Sequence, residues 1–225
     1  LYFDFKTIKI AEQNKLWAGM AKETAHQIGT PLTSMMGWVT LLKEKEKKST
    51  PLLEIEKDID RLKVITDRFS KVGSTPELSQ WDVISTVTQT VNYLQKRSSE
   101  HIIFEIQLPE KAIIIPFNSQ LISWTLENLK KHGIDAMKGK GTLNLRVNEL
   151  KNHVEILISD TGLGMKKEIA SKIFSPGFTT KSRGWGLGLS LAKRIVEDYH
   201  KGKITIAQSE LGKGTIFRVM LPKTN

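Results

Sequence analysis

From Ala18 to Leu42, apolar residues recur at alternating steps of three and four: Ala18, Ala21, Ala25, Ile28, Leu32, Met35, Val39 and Leu42. That spacing is a heptad stripe, the pattern of a helix packed along one seam. The stripe breaks near Lys47-Lys48-Ser49. Thr50 and Pro51 then offer an N-cap and a first helical residue for a second helix. A second stripe follows, Leu52, Ile55, Ile59, Leu62, Thr66 and Phe69, and Gly73-Ser74-Thr75-Pro76 ends it. The pattern predicts an antiparallel helical hairpin over residues 1–75. Two helices with one seam each do not close a core, whereas two hairpins complete a four-helix bundle. A homodimer is therefore expected.

Residues 76–225 read differently. Trp81–Lys96 has helical periodicity, His101–Leu108 alternates like a half-buried strand, and Ala112–Ile115 is a short apolar strand. Ser119–Met137 is a helix with Ile122, Leu126, Leu129, Gly133 and Met137 on one side. Strands are predicted over Thr142–Asn148 and His153–Ser159, a helix over Leu187–Tyr199, and closing strands over Lys203–Ser209 and Thr215–Leu221. Helices interspersed with hairpins predict one mixed sheet with helices on a single face, an α/β sandwich. The fold class is thus a helical hairpin followed by an α/β domain.

Composition narrows the chemistry. There is no cysteine, which excludes disulfides and zinc–thiolate sites and fits a reducing compartment. No apolar run approaches the ~20 residues of a membrane span, and no signal peptide is expected. The chain begins at Leu1, and an excised soluble piece of a longer chain is expected, cytoplasmic, meeting a membrane only through segments upstream. The net charge is +10, but the cationic run Lys43–Lys48 alternates with Glu44 and Glu46. No basic stretch is interleaved with aromatics, so nucleic acid is not an expected partner.

Three places carry candidate chemistry. His26 follows the seam residue Ala25, at the edge where a side chain reaches water, and Pro31 kinks the same helix five residues on. Asp160-Thr161-Gly162-Leu163-Gly164 ends the apolar strand Ile156-Leu157-Ile158. A carboxylate there can accept from an exocyclic amine, which favours adenine, and the glycines permit close backbone approach. Gly184, Gly186 and Gly188 precede a helix, whose N-terminal amides make a phosphate site. Neither glycine segment has Walker spacing. Asn128, His132 and Asp135 lie at i, i+4 and i+7 on the Ser119–Met137 helix, a polar stripe flanked by Glu127 and Lys131. Lys181 and Arg183 are available to neutralise phosphate charge.

These segments, in this order, resemble the catalytic core of a bacterial two-component sensor histidine kinase. His26-Gln27-Ile28-Gly29-Thr30-Pro31-Leu32 resembles the H box, and Glu127 to Ala136 the N box. Asp160–Gly164 resembles the G1 box, Phe174–Thr180 the F box and Gly184–Leu189 the G2 box. The resemblance implies a dimerisation and phosphotransfer hairpin joined to a gyrase-like ATP-binding domain. It implies that His26 accepts the γ-phosphoryl group of ATP and passes it to an aspartate on a response-regulator receiver domain. It assigns Asp160 to the adenine amino group, and Gly162, Gly164, Gly186 and Gly188 to the lid over the phosphates. Asn128 lines the phosphate side, with Lys131, His132, Asp135, Thr180, Lys181 and Leu187 counted among the ATP-binding positions. Thr30 matches the position that orients water for dephosphorylating the partner.

Two residues depart from the family pattern. Gln27 stands where a Glu or Asp commonly serves as base for the histidine; general-base help is worth roughly 10²–10⁴-fold. His132 stands where an asparagine holds Mg²⁺ through its carbonyl, and Mg²⁺ prefers oxygen to imidazole nitrogen. Glu127, Asn128 and His132 are the candidate Mg²⁺ positions. The resemblance implies an ATP-dependent protein-histidine kinase, in which another base and Glu127 with water compensate for the two departures or activity is weakened; the alternative is a degenerate kinase that binds ATP or a partner with little catalysis.

Overall fold

The computed structural model describes residues 28, 32–44, 50–72, 76–180 and 186–224. The candidate residues His26, Gln27, Thr30 and Lys181, the seam residues Ala18, Ala21 and Ala25, and Arg183 and Gly184 lie outside them. The chain divides into two compact units, Leu1–Pro76 and Glu77–Asn225. No helix among the described residues is long and apolar enough to cross a membrane.

In the first unit, helix α1 covers residues 32–44 and α2 covers Thr50–Val72. The two seams split by position. Leu32, Val39, Leu52 and Ile59 are buried as one cluster, with Met36 packed against it. Lys43 pairs with Glu56 close to the connection between the helices, as an antiparallel hairpin requires. The intervening seam residues Ile28, Met35, Leu42, Ile55 and Leu62 remain exposed. One layer of each seam therefore closes the hairpin, and the other is left for a further surface.

The second unit is a two-layer α/β domain. Its elements are β1 (Ser79–Asp82), α3 (Val83–Gln95), β2 (Ile102–Gln107), β3 (Ile114–Phe117), α4 (Ser119–Ala136), β4 (Gly141–Glu149), β5 (His153–Asp160), α5 (Lys167–Ala170), α6 (Gly188–Arg194), β6 (Lys203–Glu210) and β7 (Gly214–Pro222). A five-stranded sheet has the order β2-β4-β5-β7-β6, parallel at β2/β4 and antiparallel elsewhere. It is mixed, as expected, but not the sole sheet: β1 and β3 form a separate antiparallel pair.

That pair corrects the sequence reading at two places. Trp81 and Asp82 belong to β1, not to a helix starting at Trp81, and the strand expected over Ala112–Ile115 lies at Ile114–Phe117. Asp82 is the reason. Its carboxylate caps α3 by accepting from the amides of Ile84 and Ser85, and it also accepts from Ile113 at 3.0 Å. One side chain thus starts the helix and ties β1 to β3.

The core lies between the large sheet and the helices. Alternate residues of β4, β5 and β7 face inward: Leu143, Leu145, Val147, Val154, Ile156, Ile158, Phe217, Val219 and Leu221 are all buried. Against them pack Leu121, Ile122, Leu126 and Leu129 of α4 and Leu191 of α6. The last expected helix is not uniform: α6 gives way to a π-helical turn over Ile195–Tyr199.

Candidate nucleotide site

Helix α4 is the spine of the site. Asn118 caps it by accepting from the amide of Leu121 at 3.1 Å. Its buried face, including Leu126, Leu129 and Gly133, holds it on the sheet. Three side-chain stations along α4 then meet the glycine segments.

At the first station, a Cβ built on Gly188 would lie 3.2 Å from Asn128 Oδ1. Gly188 begins α6, so bare backbone faces the Asn128 amide. Asn128 Nδ2 is buried with no hydrogen-bond partner. A buried, unsatisfied amide is costly unless something completes it.

At the second station, α4 touches the end of β5. Gly133 faces Asp160, which is 6% exposed, and a Cβ there would stand 3.0 Å from Asp160 Cβ. Asp160 Oδ1 accepts from the Gly162 amide at 2.9 Å. Burial pushes the Asp160 carboxyl above the usual carboxylate range, against the downward pull of backbone bonds from Gly162 and Thr215. A carboxylate buried at a strand end at this cost is the kind of group found at binding sites.

At the third station, the loop after β5 docks on the C-terminal turn of α4. Leu163 donates to the Ala136 carbonyl at 3.1 Å, and a Cβ on Gly162 would stand 2.7 Å from the Ala136 carbonyl carbon. Gly164 has φ +62°, and a Cβ there would strike Glu210 O at 1.9 Å. These two glycines pack on protein backbone. They bind the G1-like loop to α4 and to the β6–β7 turn.

The F-like and G2-like segments are joined in the same way. Gly186 has φ +65° and lies against Gly177 and Phe178, and Gly177 donates to the Gly186 carbonyl at 3.2 Å. Leu187 is the N-cap residue of α6, its carbonyl taking the Leu191 amide at 2.9 Å. Thr180 is exposed at the end of the F-like segment.

His132 differs most from its sequence-based reading. Its ring packs edge-on against the buried Phe217 of β7, with centroids 5.6 Å apart, and Phe174 contacts the same ring at 6.3 Å. It is part of an aromatic cluster joining α4, β7 and the F-like segment. Glu127 is half-buried, while Lys131 and Asp135 are exposed. Among the described residues no group of three or more His, Cys, Asp or Glu is placed to hold a metal ion. Gly133, Ala136, Thr215 and Phe217 shape the site without having been singled out for it. Of these, only Gly133 carries a signal in the sequence, because a mid-helix glycine costs about 1 kcal/mol relative to alanine and needs a packing reason.

Residues 118–225 match the family of histidine kinase-, DNA gyrase B- and HSP90-like ATPases. Over 94% of its length the chain is 30% identical to sporulation kinase D of Bacillus subtilis (strain 168). The domain match and this relative support a bacterial two-component histidine kinase catalytic region. It is also 29% identical, over 95% of its length, to the signal transduction histidine-protein kinase AtoS of Escherichia coli (strain K12). It spans 43% and 35% of the length of these two relatives. The solved catalytic domain of histidine kinase ThkA, in a nucleotide-free form, superposes with a TM-score of 0.61 at 27% identity, covering 66% of this chain and 97% of that domain. The second unit thus contains an ATPase domain of the histidine-kinase type.

Proposed function

We propose that the chain is an ATP-dependent protein-histidine kinase that phosphorylates His26 and passes the group to an aspartate on a response-regulator receiver domain. The observation that carries the nucleotide part is the pairing of Asn128 with Gly188. Asn128 Oδ1 faces a glycine at a helix start, a cradle that any Cβ would narrow, and the buried Nδ2 of the same side chain has no hydrogen-bond partner. The phosphates fit beside Asn128 and Gly188, and the adenine amino group fits the buried carboxylate of Asp160. Lys181 and Thr180 are assigned to the phosphate side, with Gly186 and Leu187 setting the start of α6.

In this reading a bond forms between an imidazole nitrogen of His26 and the γ-phosphorus, and the bond to the ADP leaving oxygen breaks. Thr30 orients water for dephosphorylating the response-regulator partner, and Gln27 orients His26 without acting as its base. Mg²⁺ commonly binds through one or two carboxylates together with substrate phosphates. Glu127 would offer a carboxylate oxygen and Asn128 an amide oxygen to hold the ion, which would supply charge neutralisation on the triphosphate. His132 is instead assigned to packing, since its ring is held by Phe217.

The exposed layer Ile28, Met35, Leu42, Ile55 and Leu62 supports a homodimer, in which two hairpins close a four-helix bundle.

Titration of the chain with ATP, with and without Mg²⁺, tests the nucleotide site. Transfer of label to a receiver domain tests the rest. ATP binding without any label on the protein would favour the degenerate reading, a binding module with little catalysis, to which Gln27 and the packed His132 point.

A further inference from the structure

His200 follows the π-helical turn and is 1% exposed. Both of its ring nitrogens are engaged. Nδ1 lies 2.7 Å from the Ile195 carbonyl oxygen, and Nε2 lies 3.0 Å from the backbone nitrogen of Asn118. A backbone N–H only donates, so Nε2 is the acceptor and the proton sits on Nδ1, donating to Ile195. Burial pushes the imidazole pKa down, which keeps the ring neutral and this pattern intact.

The two bonds differ in reach. The Ile195 carbonyl already accepts from the backbone amide of His200 at 3.2 Å, so the turn is closed without the side chain. The Nε2 bond crosses 82 residues of sequence to the N-cap of α4. Asn118 is itself held, capping Leu121 and donating to the Glu77 carbonyl at 3.2 Å.

This places two contacts on the same pair of helices. The segment that begins at Gly188 meets α4 at Asn128, and where it ends, at His200, it meets α4 at Asn118. Those α4 positions are about 15 Å apart at 1.5 Å per residue. A π turn has an i→i+5 bond and a residue more than an α turn, so a helix containing one needs a fixed end to hold its register on a neighbour.

We propose that His200 is a positioning residue for the nucleotide site: by bonding Asn118 it fixes how far along α4 the glycine end of α6 lies, and so the gap between Gly188 and Asn128. This rests on the nucleotide reading above.

Two amide variants separate the bonds. His200→Gln places its carbonyl oxygen near the position of Nε2 and can still accept from Asn118. His200→Asn is one carbon shorter and keeps only the local bond to Ile195. ATP affinity of the full chain is measured by calorimetry, at a temperature where circular dichroism shows every variant folded. His200→Gln is expected to bind within about twofold of the parent, and His200→Asn and His200→Leu to bind about tenfold more weakly. A role confined to closing the turn would give the opposite order for the two amides. His200→Asn or His200→Leu binding like the parent, or His200→Gln binding as weakly as His200→Leu, would overturn the proposal. A parent chain that does not bind ATP would overturn the nucleotide reading and this proposal with it. A parent that binds, with no difference among the variants, overturns the positioning role alone.

Discussion

Gly133 and Asp160 are in contact across the α4–β5 interface: a Cβ built on Gly133 would lie 3.0 Å from Asp160 Cβ and 3.3 Å from Asp160 Oδ2. The absence of a side chain in the middle of a helix is what lets the carboxylate stand where it does. Gly133→Ala gains about 1 kcal/mol of helix propensity but pushes Asp160 aside. The expected result is weaker ATP binding with a melting temperature near that of the parent. Unchanged ATP affinity would mean that the position of Asp160 does not matter to the nucleotide.

Asp160 itself couples binding to stability with a definite sign. Its folded-state pKa is raised by burial, so its contribution to stability is full below the ordinary carboxylate value and is lost as pH rises through the folded value. As pH rises above the ordinary carboxylate value, the buried group becomes a burden on the nucleotide-free domain. Asp160→Asn is therefore expected to melt at the same or a higher temperature than the parent at pH 7, while losing ATP affinity. The difference in melting temperature should shrink as pH falls towards the carboxylate range. Thermal melts of both proteins across pH check this, and a variant clearly less stable at neutral pH would count against it.

His132 carries a double expectation. Replacing it with asparagine removes the edge-on contact with Phe217, a pair worth about 0.5–1.5 kcal/mol. The melting temperature should fall by about 1–6 °C. The same change adds a carbonyl oxygen near Glu127 and Asn128, so Mg²⁺-dependent labelling is expected to rise, and to rise more with Mg²⁺ than with Mn²⁺. A labelling rate lower at every Mg²⁺ concentration would show that His132 serves the phosphates directly, and an unchanged rate would overturn the expected gain in metal binding.

The hairpin separates folding from assembly. Met35 and Leu62 are 50% and 42% exposed in the single chain, whereas Leu32 and Ile59 are buried within it. Met35→Glu with Leu62→Glu should leave helicity intact and shift sedimentation towards monomer. Leu32→Glu should reduce helicity outright. A parent chain that sediments only as monomer at micromolar concentration would remove the basis for the four-helix bundle.

Much of this was legible in the sequence because it rests on period and punctuation. The heptad seams, the alternation of β4, β5 and β7, and the Asp160 and Gly188 segments are local patterns. What could not be read depends on tertiary partners. The seam residues Leu32 and Met35 look equivalent along the chain, and only packing against α2 divides buried from exposed. Lys130 sits in the polar-looking run Lys130-Lys131-His132, yet it is buried, its ammonium donating to the Leu94 carbonyl at 3.1 Å. β1 has no alternation of its own and exists because β3 and Asp82 hold it. Gly164 reads as a ligand-facing glycine, but its positive φ serves a contact with Glu210 from a distant hairpin.

The most direct measurement is covalent labelling. The chain is incubated with γ-labelled ATP and Mg²⁺, and the label is then challenged with acid. An acid-labile label that is lost in His26→Ala, with ATP affinity of that variant nearly intact, is the expected result. An acid-stable label, or one that persists without His26, would contradict the assignment of this chain as a kinase that phosphorylates His26.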